Sequence, residues 1–173
     1  MMMEANIKQE TVGPAKVLDH ESRLVENDHH SLRLWLRLLT CTNLIEGRLR
    51  SYLREEFGTT LPRFDFMAQL ERVPEGLTMG ELSQRMMVSG GNVSGIAAQL
   101  EKAELITRAP VPGNRRSFQV RLTERGRREF EVMAKRHEEW VIDMLGGLSV
   151  SDVDQLMRTL KKVKAGIPQS EEH

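Results

Sequence analysis

The 173 residues carry 25 basic and 25 acidic side chains, so a net charge of zero selects neither nucleic acid nor an acidic partner. Apolar residues make up 39%, and no apolar run approaches the roughly 18–20 residues of a membrane span; one core with much exposed helix surface is expected, without a membrane segment. The single cysteine, Cys41, rules out an internal disulfide and a cysteine-rich zinc site; the N-terminus holds no apolar signal core, and the cytoplasm is the expected compartment.

Residues 1–30 are polar and aperiodic and read as a flexible tail. A long helix opens at Ser31, striped by Trp35, Leu39, Thr42, Leu49 and Leu53, and ends at Gly58. Pro62 suits a new helix start; Phe64, Met67, Leu70 and Val73 share one face before Pro74 and Gly76 break the pattern. Thr78 and Glu81 have capping-box spacing, opening a short helix through Leu82, Met86 and Met87. Val88-Ser89-Gly90-Gly91 reads as a turn with two glycines, and a second helix follows with Val93, Ile96, Ala97 and Leu100 on its apolar face. Its other face carries Asn92, Ser94, Gly95, Ala98, Gln99 and Lys102. Two short helices, a tight turn and a slim polar outer face predict a helix-turn-helix.

Ile106–Ala109 and Ser117–Thr123 read as strands around a tip, Pro110–Arg116, that contains proline and glycine. A hairpin directly after a recognition helix is a wing. Seven arginines and one acid lie between Arg108 and Arg128, whereas residues 4–30 hold six acids and three bases, and residues 129–173 nine and six. Such a basic centre calls for an anionic partner or for flanking acids. Ser89, Asn92, Ser94 and Gln99 are candidate contacts to bases or phosphates, and Gly90 permits close approach of the backbone. Arg108, Arg115 and Arg116 are candidate contacts to phosphates or a narrow minor groove.

Phe130, Met133, His137, Trp140, Val141 and Met144 stripe a helix from Thr123 to Gly146; Val153, Leu156, Met157, Leu160 and Val163 stripe another after Ser151. A winged domain of about 70 residues cannot cover these stripes as well as that of the first helix. A homodimer of intertwined terminal helices is expected, which would present two recognition helices about 34 Å apart to a pseudo-palindromic duplex. His137, on an apolar stripe, reads as a hydrogen-bonded core residue. His29 and His30 read as surface histidines, and no metal site is expected.

The stretch Leu82–Arg108, with Val93-Ser94 and Leu100-Glu101-Lys102, resembles the helix-turn-helix of the MarR family of bacterial transcription regulators. Asn114-Arg115-Arg116 and Val120-Arg121-Leu122-Thr123-Glu124-Arg125-Gly126-Arg127 resemble that family's wing and the helix after it. The resemblance spans nearly all of residues 31–167 and departs at three positions: Asn114 stands for the usual Asp, Gly95 for a common Arg, and Glu104 for the usual Gly. It implies a mainly α fold with a small β-hairpin wing. The segments are a tail (1–30), an N-terminal dimerisation helix (31–61), a winged helix-turn-helix (62–123), C-terminal dimerisation helices (124–167) and a tail (168–173).

The implied function is a repressor released from double-stranded DNA by a small molecule, with no catalytic residue and no cofactor. Leu34 to Arg48 is similar to the branch that governs aromatic-acid catabolism, whose effectors are aromatic acids or their CoA thioesters. Trp35, Phe64 and Met67 are then candidate ligand contacts, with Arg48 or Arg63 for an anionic group. Three alternatives stay open: redox sensing through Cys41, a small helical enzyme acting on an anionic substrate, and a protein-interaction adaptor that uses a winged helix. Operator, effector and sign of regulation are not legible in the sequence.

Overall fold

The computed structural model describes residues 30–111 and 114–168, except for the side chains of residues 111–117. The tails expected over residues 1–30 and 168–173 thus fall almost wholly outside the described residues. Two compact units divide the chain, Met1–Leu44 and Ile45–His173. The described part of the first is the N-terminal half of helix α1 (His30–Phe57), where Leu32, Leu34, Trp35 and Leu44 are all exposed.

In the second unit, α1 continues and buries Leu49 and Leu53. Helix α2 (Leu61–Glu71) starts with proline in its first turn, where the missing N–H leaves no bond unmade. It buries Leu61, Phe64, Phe66, Met67 and Leu70, more than one stripe, because neighbours press on it from several directions. These are α3 (Met79–Met86), α4 (Gly90–Lys102), α5 (Glu124–Leu145) and strand β3 (Asn114–Leu122). Thr78 ends the two-residue strand β1 (Leu77–Thr78) and caps α3: its hydroxyl accepts from the Glu81 N–H at 3.3 Å, and its own N–H donates to the Glu81 carboxylate at 2.7 Å. That backbone bond, with the Thr78 hydroxyl also donating to the carboxylate at 2.8 Å, holds Glu81 below the usual carboxylate range.

The sheet is antiparallel in the order β1-β3-β2, with β2 spanning Ile106–Val111. Leu77 faces Val120 and Ile106 faces Leu122. The strand β1 escapes sequence reading because two residues carry no period. The hairpin is also longer than expected: Pro110 belongs to the edge strand β2, beside a register shift, where a missing N–H is tolerated. The tip residues 112–113 lie outside the described residues.

The helix-turn-helix is built differently from its sequence reading. Gly90 and Gly91 lie inside the first turn of α4, and the left-handed residue that reverses the chain is Met87, at φ 54°. Helix α6 (Val150–Gly166) begins one residue before Ser151, capped reciprocally by Ser149 and Asp152. At the start of α5, Gly126 lies against the turn after α4. A Cβ there would overlap the Leu105 carbonyl oxygen outright, so only glycine lets α5 seat.

Candidate nucleic-acid interface

Helix α4 has one buried row, Val93, Ala97 and Leu100, all with no exposed surface. At 100° per residue the opposite pole is Gly91, Gly95, Ala98 and Lys102, all exposed. Asn92 and Gln99 flank this pole on the side of α2; Ser94 and Glu101 flank it on the side of the sheet. Ser89, Gly90, Asn92, Ser94 and Gln99 are all exposed, as a face that meets DNA requires.

Three glycines in a 13-residue helix weaken it by up to about 1 kcal/mol each relative to alanine. No heavy atom lies within 4 Å of a Cβ built at Gly90, Gly91 or Gly95. The fold therefore does not require glycine at any of the three.

The basic centre resolves into two sets. Arg108, on β2, pairs with Glu101 of α4 at 3.1 Å. Arg125 pairs with Glu104 and Glu129 at 3.5 and 2.9 Å, and Arg127 with Glu71 of α2 at 3.7 Å. Arg121 donates to Gln119 at 3.0 Å. Arg115 and Arg116 lie on β3 at the wing, with side chains outside the described ones. Three of these acids come from neighbouring segments and Glu129 from α5 itself, so most of the cluster's arginines beyond the wing tip are neutralised within the fold.

The proposed ligand contacts do not converge on one place. Arg63 and Met67 line a cavity of about 590 Å³ between the end of α1, α2 and the start of α5, together with Arg128, Val132 and Met133. The Arg63 Nε is buried without a hydrogen-bond partner. Arg63 also borders a groove of about 700 Å³ between α2 and the Asn92–Gln99 side of α4. Phe64 is a core residue, stacked between Phe130 at 5.4 Å and His137 at 4.6 Å. His137 is thus held by ring stacking, and desolvation pushes its pKa down. Arg48 lines a separate small cavity with Tyr52 and Trp140. Trp35 and Cys41 are exposed on the part of α1 that belongs to the other unit. Sequence reading missed Arg128 and Glu101, because nothing in their local pattern sets them apart from other charges on a solvated face.

The family model described as MarR family matches residues 57–117. The crystal structure of a MarR family transcriptional regulator from Silicibacter pomeroyi is 31% identical, with a TM-score of 0.71, and covers 83% of this chain and 100% of its own. The chain belongs to the MarR family of transcriptional regulators. It is also 29% identical over 134 residues, 76% of each chain, to the transcriptional activatory protein BadR of Rhodopseudomonas palustris. The structure of CouR from Rhodococcus jostii, bound to p-coumaroyl-CoA, is 19% identical with a TM-score of 0.67 and covers 80% of this chain and 95% of its own. As a MarR protein the chain is a DNA-binding regulator with a winged helix, and not an enzyme. No described helix is long and apolar enough to cross a membrane.

Proposed function

We propose that this MarR protein is a homodimeric, cytoplasmic repressor of aromatic-compound catabolic genes, released from a pseudo-palindromic operator by an aromatic acid or its CoA thioester. The observation that carries the DNA contact is the glycine-rich pole of α4, which the fold itself does not need. Ser89, Gly90, Asn92, Ser94 and Gln99 meet the major groove, and Arg115 and Arg116 reach phosphate or the minor groove beside it. Helices from residues 31–61 and 124–167 hold the dimer.

The effector occupies the cavity of Arg63, Met67, Arg128, Val132 and Met133. Apolar walls with two guanidiniums suit a flat hydrophobic body with an anionic end; the two carboxylates in the lining, Glu56 and Glu129, are paired with Arg136 and Arg125, and the unpartnered Arg63 Nε is a donor awaiting an acceptor. CouR, bound to p-coumaroyl-CoA, supports that class of ligand. Binding there shifts the population away from the shape that fits DNA, by the difference in ligand affinity between the two shapes. Repression follows when the operator overlaps a promoter; activation, as in BadR's name, requires an upstream operator.

The test is fluorescence anisotropy of the full chain with the DNA upstream of its own gene, across salt concentrations. Arg115→Ala and Arg116→Ala are expected each to flatten the slope of log affinity against log salt by about one. Unchanged affinity and slope in both variants would remove the wing from the interface. Native mass spectrometry of freshly purified protein reads any retained effector. With benzoate or p-coumaroyl-CoA as probe, release of DNA is expected from the native chain and is lost in Arg63→Ala and Arg128→Ala.

A further inference from the structure

Arg108 stands at the base of the wing, in the ladder opposite Val120, and its side chain is only 26% exposed. Its Nε lies 3.1 Å from the Glu101 carboxylate, off the N–H axis, so the contact is an ion pair and not a directed hydrogen bond. That nitrogen is itself buried. Glu101 sits in the last turn of α4, on the flank that faces the sheet. The pair therefore ties the end of the recognition helix to the strand that leads into the wing.

We infer that the Glu101–Arg108 pair is a positioning device, a brace that sets the angle between recognition helix and wing, and that Arg108 does not itself contact DNA. The inference rests on the regulator reading above. A duplex is gripped at two places, the α4 pole and the wing arginines, and the free energy of a two-point grip depends on the geometry held between the points. Arg108 is the only strand residue among the described ones that pairs with an acid on α4. A half-buried guanidinium already matched by a carboxylate would have to give up that partner to reach a phosphate.

The experiment compares Glu101→Gln, Arg108→Gln, their double variant and Arg108→Lys in the full chain, each checked for helix content by circular dichroism. Two readouts are taken: a double-mutant cycle in urea unfolding, and affinity for a random-sequence 30-base-pair duplex over a range of salt. A brace predicts roughly a three- to tenfold loss of DNA affinity in each single variant, and little more in the double variant. It predicts an unchanged salt slope, partial rescue by Arg108→Lys, and non-additive unfolding. Arg115→Ala, measured alongside, flattens the slope. An Arg108→Gln slope that flattens like that of Arg115→Ala, with Glu101→Gln neutral or tighter, overturns the inference and makes Arg108 a phosphate contact. Additive unfolding overturns it too. If the native chain binds no duplex even at low salt, the regulator reading fails and the claim about the wing angle falls with it, while the unfolding cycle still decides whether the pair is coupled.

Discussion

Single residues carry local strain that their neighbours explain. Glu104 holds φ 59° in the turn between α4 and β2, the position where the family resemblance expects glycine. A left-handed non-glycine residue costs about 1–2 kcal/mol. Its compensation is an ion pair with Arg125 at 3.5 Å, but Glu104 is 81% exposed and such a pair is worth about 0–1 kcal/mol. The Thr123 hydroxyl donates to the Glu104 carbonyl at 2.8 Å, a bond that any residue keeps. Glu104→Gly is therefore expected to stabilise the chain by about 0.5–1 kcal/mol in urea unfolding; a destabilised variant would mean that the ion pair outweighs the strain.

Asp65 shows the opposite imbalance. Burial, with Glu46 nearby and only Arg50 opposing, pushes it up to about 6 from 3.8. The folded state thus binds the proton more tightly than the unfolded state, so this group's contribution to stability falls as pH rises from about 4 through 6. Asp65→Asn is expected to stabilise by about 1 kcal/mol at pH 7.5, after discounting for its partial exposure, and to gain nothing near pH 4. Unfolding midpoints of both proteins across that range check the sign.

In helix α4 the proposed DNA contact sets stability against function. Its apolar row was legible, because residues at spacings of three and four share a face whatever surrounds them. The open space around its glycines was not, since a glycine in a sequence looks the same whether a neighbour or an absent partner requires it. Gly95→Ala is expected to raise stability by about 0.5–1 kcal/mol and to lower affinity for DNA. Full DNA affinity in that variant would take the pole of α4 out of the interface. The turn before α4 was misread for a related reason. The glycine pair advertised a reversal, yet glycine is also tolerated in a first helical turn, and the reversal fell one step earlier on Met87.

At the scale of the whole molecule, helix α6 leaves an apolar face uncovered among the described residues. Helix α6 buries no residue, and Val153, Leu156, Met157, Leu160 and Val163 remain exposed along it. On α5, Ile142 and Leu145 are exposed as well. Patches of this extent mark association, which supports the proposed dimer. Leu156→Glu with Leu160→Glu is expected to halve the mass measured by light scattering and to weaken operator binding far more than binding of one half-site. An unchanged mass would move the interface elsewhere.

Sequence alone settled what depends on near neighbours: the helical stripes, the Thr78–Glu81 cap and the polar row of α4. Each reaches no further than one turn, so the chain carries it wherever it folds. Only the tertiary structure decided which arginines are spent between elements, with Glu71, Glu101 and Glu104 as their partners, and which cavity gathers Arg63 with Arg128. Ion pairs and cavities form where elements meet, and the meeting of elements is set by the packing of the whole core around α2.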